Sequence, residues 1–301
     1  MIPLILIVAL ILVAFAVPIV RMCKLLCRRT YGQAYDAAEF GIKSEVVNLK
    51  SVDNFSLVAY NVEVSMPKGV VICLGGIHSP TVTNWYGHSA LLAKEGYASI
   101  LLDLRAHGAS EGKRIYAATE EWKDVDAAVA YIKSQQRYND LPIVVMGLSM
   151  GAATALVATG RNGDIDGVIA LSAYSSWGYN FNRNVEQKMP QFVAKLLVPF
   201  VYMATCVVLG RRANISPVNV IKGLGARPAL LIHSRDDKMV PLANLERLLE
   251  VAPNAQTWIR EGDNHRILAD FIHPQTDTAY CAKIVEFLNS NFYGEKRERD
   301  I

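Results

Sequence analysis

Apolar and polar positions alternate in blocks over most of the chain. Val70–Leu74, Ala98–Asp103, Ile143–Met146, Val168–Ser172 and Pro228–His233 are short, mostly apolar runs. Runs of this kind predict strands buried on both faces. Between them, apolar residues recur at helical spacing: Asn84–Glu95 with Gly96 as its stop, Thr119–Gln135 with acidic residues in its first turn, Met150 to about Thr159, Leu242–Val251, and about Gln275 to Asn291. Thr257–Ile259 reads as a last strand. Ser44–Asn48 and Ser56–Val64 alternate residue by residue around the turn Val52-Asp53-Asn54, which predicts an antiparallel hairpin at the start of the sheet. Strands alternating with helices predict an α/β fold, a mostly parallel sheet with helices on both faces.

Two segments break this pattern. Ile2–Val20 is apolar throughout and carries no charge, which at ~1.5 Å per residue spans a ~30 Å hydrocarbon core. Arg21, Lys24, Arg28 and Arg29 follow it. A secretory signal would place its basic residues first and a small-residue cleavage site after, so an uncleaved transmembrane helix is expected. The basic cluster after the span places the rest of the chain in the cytoplasm. The second segment, 173–215, interrupts the strand–helix alternation and holds the very apolar run Phe192–Leu209 with Lys195 and Pro199 inside it. It reads as a helical lid inserted over the C-terminal ends of the strands, where open α/β sheets bind ligands. A single membrane span there would put the residues on either side of it on opposite faces of the bilayer, so only shallow insertion is compatible with one catalytic unit. The expected layout is a transmembrane anchor over 1–22, a basic juxtamembrane segment and linker over 23–43, a catalytic domain over 44–293 and a charged tail over 294–301.

Composition narrows the function. The chain has 301 residues, enough for one large domain, with 20% charged residues and a net charge of +3. That balance points to no nucleic-acid partner. The five cysteines, Cys23, Cys27, Cys73, Cys206 and Cys281, are odd in number and mostly set in apolar runs, which suits reduced thiols. None of the six histidines is spaced to make a metal site with nearby carboxylates, so neither a catalytic metal nor another cofactor is expected.

The chemistry gathers around Val144-Val145-Met146-Gly147-Leu148-Ser149-Met150-Gly151. A strand ending in Gly-x-Ser-x-Gly and running straight into small helix-compatible residues is the sequence form of a nucleophile elbow. A side chain at either glycine would clash across so tight a turn. Serine needs a base, and the base needs an orienting acid. Both follow at strand ends: Asp236 or Asp237 after the Pro228 strand, and His265 in the loop after the last strand. His78 and His88 lie near the first glycine loop, His107 lies in a turn, His233 ends a strand and His273 precedes Pro274. The oxyanion of acyl transfer needs two backbone donors. The N–H of Met150 is one. Ile77, in the loop Gly75-Gly76-Ile77 after the Val70 strand, is the choice for the other.

Gly-Leu-Ser-Met-Gly, the run Asp103-Leu104-Arg105-Ala106-His107-Gly108-Ala109-Ser110-Glu111-Gly112, the block from Ser216-Pro217 to Pro241 and the late His265 together resemble the α/β-hydrolase superfamily. Within it the chain is similar to the serine-aminopeptidase-like and monoacylglycerol-lipase-like serine hydrolases, over about Glu45–Asn291. That group carries His-Gly-x-x-Asp-x-x-Val-Pro at the acid, and His233, Asp237, Val240 and Pro241 match it. The resemblance therefore implies Asp237 as the acid, with Ser234 where glycine is usual. Gly75-Gly76 replaces the group's usual His-Gly, which leaves the second oxyanion donor less defined than the Ser149–Asp237–His265 set. The Asp103–Gly112 run is a structural hallmark of the group.

The resemblance and the apolar lid imply a membrane-anchored hydrolase of carboxylic esters, with lipid esters or thioesters as candidate substrates. Two other readings compete: a small-peptide aminopeptidase, for which no charged pocket for a peptide terminus is legible, and a non-catalytic membrane-tethered scaffold, which has no need of all three catalytic side chains.

Overall fold

The computed structural model describes residues 2–30, 33–262 and 264–293; the expected charged tail, 294–301, lies outside them. Eight strands form one sheet: β1 Glu45–Lys50, β2 Ser56–Val62, β3 Val70–Leu74, β4 Ala98–Asp103, β5 Ile143–Leu148, β6 Gly167–Leu171, β7 Ala229–Ser234 and β8 Gln256–Arg260. Their order is β1-β2-β4-β3-β5-β6-β7-β8. Strand β2 runs antiparallel to both its neighbours, and every pairing from β4 to β8 is parallel. The helices are α1 Ile2–Leu26, α2 Tyr86–Lys94, α3 Trp122–Ser134, α4 Met150–Arg161, α5 Trp177–Glu186, α6 Gln191–Leu209, α7 Pro217–Val220, α8 Ala243–Leu249 and α9 Thr278–Phe292.

The central strands are apolar at every position because both faces are covered. Val70, Ile72, Leu74, Ile143 and Val145 point to one side and pack with α3, α4 and α8. Val71, Cys73, Val144, Met146 and Leu148 point to the other and meet α2 and α9. The period-two split between two cores is what continuous apolar runs in a parallel sheet should produce.

Several element boundaries shift by a few residues from the sequence expectation, and two of these shifts and a turn in the linker have a clear local reason. Strand β5 runs past Met146 to Leu148, because Gly147 and Leu148 still pair with Ala170 and Leu171 of β6. The third helix begins at Trp122, not Thr119, because buried Glu121 is turned to accept the backbone N–H groups of Tyr116 and Glu120. Within the expected linker, Ala37–Phe40 forms a 3₁₀ turn. Asp36 and Glu39 close a capping box at its start, and Gly41, at φ +70°, ends it.

The basic segment after the apolar helix is also no free tether. Met22 and Leu26 are fully buried in the core that holds α3 and α4. Ile115 donates its N–H to the Leu26 carbonyl at 2.8 Å, and the Arg29 guanidinium reaches the carbonyls of Gly108, Ser110 and Gly112. Helix α1 thus ends inside the fold, while Ile5–Val13 present exposed apolar side chains. Helices α1 and α6 are each long and apolar enough to cross a membrane. They pack on one another, Thr205 of α6 lying 3.8 Å from the Met22 sulfur.

The second core contains a titratable group. His88 of α2 is enclosed by Trp85, Phe271 and Tyr280, with its Nε2 3.1 Å from the Tyr280 hydroxyl. Burial pushes its pKa down to about 3. The unfolded chain therefore binds a proton that the folded chain refuses, so stability falls as pH drops below about 6.5 toward 3. Acidification from pH 7 to pH 5 is expected to cost about 2 kcal/mol from this residue alone. Denaturant unfolding at both pH values should show that loss in wild type and a smaller one in His88→Gln.

Candidate active site

Ser149 stands at the single-residue junction between β5 and α4. Its backbone is at φ 56° and ψ −114°, a strained conformation for a residue with a side chain. Its N–H is tied to the Leu171 carbonyl at 2.8 Å, and its own carbonyl accepts from Ala153 at 2.9 Å. The turn closes only because its flanks are bare. A Cβ on Gly147 would lie 2.3 Å from the Gly151 carbonyl group, and a Cβ on Gly151 would lie 2.5 Å from the carbonyl oxygens of Leu74 and Gly75.

Asp237 and His265 follow the ends of β7 and β8, on the same edge of the sheet as Ser149. Asp237 is buried. Its Oδ1 accepts the N–H groups of Met239 at 2.8 Å and Val240 at 2.9 Å, which fixes the carboxylate plane. Its Oδ2 lies 2.7 Å from Nδ1 of His265. With that N–H donated to the carboxylate, Nε2 of His265 is left as the proton acceptor. Among the described residues no hydrogen bond joins the Ser149 hydroxyl to this ring; such contacts often tighten only when substrate is in place.

Neighbouring groups explain why Asp237 is the carboxylate in position. His233 directs Nε2 to the Val240 carbonyl at 2.7 Å and lies 3.8 Å from Asp237 Oδ2, clamping the acid turn from behind. Burial lowers the His233 pKa, which keeps it neutral there. Asp236 instead helps to shape the loop, its N–H donating to the Gly262 carbonyl at 3.1 Å. Ser234 has a use of its own, because its hydroxyl donates to the Asn264 carbonyl at 2.6 Å and so holds the loop that carries His265.

The glycine loop after β3 lies against Ser149. A Cβ on Gly76 would sit 3.6 Å from the Ser149 Cβ, so this backbone borders the serine. Met150 opens α4, where the first N–H groups have no partner within the helix. The Ile77 carbonyl takes up Nε2 of His107 at 2.9 Å, and Nδ1 of the same ring meets the Arg105 carbonyl at 2.9 Å. His107 therefore bridges the Asp103–Gly112 turn to the glycine loop, a role the sequence did not reveal. Asp103 holds both ends of that bridge. Its Oδ1 accepts from Val82 at 2.7 Å and its Oδ2 from Ala109 at 3.0 Å.

The lid is fastened to the acid loop through asparagines that sequence reasoning passed over. Asn180 and Asn184, one turn apart on α5, both donate to the Met239 carbonyl, and Asn244 donates to the Asn180 side chain at 3.1 Å. Their spacing four residues apart was the available signal, but without a known partner it reads as an exposed polar face. The remaining histidines stand apart: His78 meets the Leu25 carbonyl at 3.2 Å, and His273 pairs with Asp270. Among the described residues no group of three His, Cys, Asp or Glu could hold a metal ion.

Comparison with known proteins adds the following. The model of a family described as serine aminopeptidase, S33, matches residues 65–216. An uncharacterised protein of Bacillus subtilis, YqkD, is 27% identical over 230 residues, covering 74% of this chain and 72% of its own. The human protein ABHD12B is 25% identical over 173 residues, covering 55% of this chain and 44% of its own. Among solved structures, the esterase Pf2001 of Pyrococcus furiosus superposes with a TM-score of 0.69 at 23% identity, over 88% of this chain and 99% of that one. An acylaminoacyl peptidase of Pyrococcus horikoshii gives 0.64 at 16% identity, over 86% and 44%. The two structural likenesses speak for the fold.

The strain at Ser149 makes a stability prediction. Ser149→Gly removes the side chain that makes this conformation costly, so its melting temperature is expected to rise by an amount equivalent to about 1 kcal/mol. Gly151→Ala is expected to do the opposite and lower the melting temperature, because the new methyl meets backbone. Thermal melts of the two variants check both signs.

Proposed function

The chain belongs to the serine aminopeptidase, S33, family within the α/β-hydrolase superfamily, and from that premise we propose that it is a membrane-anchored serine hydrolase of carboxylic esters. The observation that carries the reading is the 2.7 Å contact of His265 Nδ1 with Asp237 Oδ2 at the strand ends beside a strained, glycine-flanked Ser149. In the proposed reaction, His265 Nε2 takes the Ser149 proton as the hydroxyl oxygen attacks the ester carbonyl. The N–H groups of Met150 and Ile77 receive the oxyanion. His265 then gives its proton to the leaving alcohol. Water, deprotonated by the same ring, releases the acid from the acyl-enzyme. Asp237 holds the tautomer and stabilises the imidazolium.

The membrane assignment rests on α1 and α6. Ile5–Val13 of α1 and Phe192, Leu196, Met203 and Val207 of α6 are apolar and exposed. Burial of Met22 and Leu26 supports retention of the end of α1, because cleavage after them would strip side chains from the core. The basic residues that follow the span, and five free cysteines, suit a cytoplasmic catalytic domain. The lid then rests at the bilayer surface, where lipid esters are supplied. The peptidase reading has the family description behind it; the apolar, exposed faces of α1 and α6 favour the ester reading over it.

Fluorophosphonate labelling of membranes tests the reading. Wild type is expected to label, and Ser149→Ala and His265→Ala are expected not to. Asp237→Asn should lower ester turnover by about 10⁴-fold. A folded wild type that never labels overturns the enzyme reading; amide hydrolysis without ester preference favours the peptidase. Separately, deletion of residues 2–20 should release a folded, labelling-competent protein from membranes, whereas deletion of 2–29 should abolish folding through loss of Met22, Leu26 and Arg29.

A further inference from the structure

The lid helix α5 meets the acid turn through one peptide unit. The Met239 carbonyl and the Val240 N–H are the two ends of that unit, and a trans peptide holds them in one plane, pointing opposite ways. At one end the carbonyl accepts Nδ2 of Asn180 at 3.4 Å and Nδ2 of Asn184 at 3.1 Å, both from α5. At the other end the N–H donates to Asp237 Oδ1 at 2.9 Å. A tilt of α5 that moves the carbonyl therefore moves the N–H, and Asp237 with it. A peptide polarised at its oxygen is also a stronger donor at its nitrogen.

The same series continues away from the acid. Asn180 Oδ1 accepts Nδ2 of Asn244, in α8, at 3.1 Å, and that amide also donates to the Pro241 carbonyl at 3.1 Å. Its Oδ1 accepts the N–H and the hydroxyl of Ser175, between β6 and α5, at 3.1 Å each. The Ser175 N–H can only donate and the Pro241 carbonyl can only accept, so the Asn244 amide has one orientation. Asn244 is fully buried and Asn180 nearly so. A run of amides thus leads from Ser175 through Asn244, Asn180 and the Met239–Val240 peptide to Oδ1 of Asp237, whose Oδ2 lies 2.7 Å from His265 Nδ1. Helix α5 is held in other ways besides. Trp177, Phe181 and Val185 pack against the core, and Ser176 caps the helix while accepting from Arg247 at 3.4 Å. What the asparagines add is a direction, toward the carboxylate.

We propose that Asn180, Asn184 and Asn244 are positioning residues of the reaction: the seating of α5 sets the orientation of the Asp237 carboxylate, and through it the alignment of His265 for taking the Ser149 proton. The lid then governs turnover through the acid. This rests on the serine-hydrolase reading above and names a control built into that same site.

The test uses the full chain in neutral detergent and p-nitrophenyl acetate, an ester with too short an acyl group to depend on contacts with the lid. In Asn180→Ala/Asn184→Ala, kcat is expected to fall by about tenfold with KM little changed, and fluorophosphonate labelling of Ser149 to slow in step. Asn184→Ala, at a half-buried position, removes one donor and should lower kcat by about threefold, which keeps the test sound if the double variant folds poorly. Asn182→Ala is the control. Asn182 sits on the same helix but donates to Glu186 of that helix at 2.9 Å, so its loss should leave kcat at the wild-type value. A second readout is the low-field proton resonance of the His265 Nδ1–H, assigned by its loss in His265→Ala. It should shift in the double variant and stay in place in Asn182→Ala. A loss confined to KM, wild-type kcat in both variants of the Met239 contact, or an equal fall in Asn182→Ala overturns the proposal, because the asparagines then only fasten the lid. A wild type that neither turns over nor labels removes the hydrolase reading instead, and the resonance then decides: no shift in the double variant overturns the coupling of α5 to Asp237, and a shift upholds it.

Discussion

Helix α4 leaves β5 in a single residue because two backbones touch there without side chains between them. Gly151 lies against the carbonyls of Leu74 and Gly75, and Gly147 lies against Gly151. This contact fixes the distance of α4 from the sheet. It also brings the glycine loop after β3 up to the serine and forces Ser149 to φ 56°. The strain persists because the surroundings over-determine it: the Ser149 N–H is held by β6, and its carbonyl begins the helix. A larger residue at either glycine would move the helix, and with it the N–H groups proposed to receive the oxyanion.

The turn that follows β4 is held by buried charged groups that pair with one another. Arg105 is buried and forms ion pairs with Asp53 at 2.8 Å and Asp124 at 2.6 Å. The shifts point in different directions. Burial pushes Asp124 up to about 6, whereas Arg105 and Ser51 hold the more accessible Asp53 well below the usual carboxylate range despite its own desolvation. The geometry settles Asp124 as the charged partner, since it takes the Arg105 guanidinium and the Arg105 backbone N–H together. Such a network adds little net stability, because desolvating the charges offsets most of their attraction. What it supplies is a fixed direction for the turn from which His107 reaches Ile77.

The strands and the elbow were legible in the sequence because each rests on a local rule. Apolar runs of five or six residues mark buried strands, and Gly147 and Gly151 mark the backbone contact before any coordinates exist. Asp237 was chosen over Asp236 only through family resemblance, since both carboxylates follow the same strand; the deciding contacts, from Met239, Val240 and His265, arise from the turn's three-dimensional course. The docking of Met22, Leu26 and Arg29 was not legible at all. A basic stretch after an apolar helix reads as a membrane boundary, and nothing local in it announces that Gly108, Ser110 and Gly112, some eighty positions away, will supply acceptors. The asparagines of α5 were missed for the same reason, their partner being a carbonyl that carries no sequence signature.

The joining of α1 to the lid connects the N-terminal apolar helix with the site. Met22 lies among Val201, Ala204 and Thr205 in the same core, so the end of α1 and the middle of α6 form one packed unit. The carbonyls of Leu25 and Leu26 reach His78 and Ile115, on opposite sides of that unit. Helix α1 therefore serves as a structural strut of the site as well as a hydrophobic segment. A lid held in this way cannot swing freely about its ends without breaking buried contacts with α1. Helix α5, by contrast, is short, rich in asparagine and fastened to the Asp237 loop by side-chain hydrogen bonds alone at Met239, so it is the part of the lid that can shift at least cost to the shared α1–α6 core.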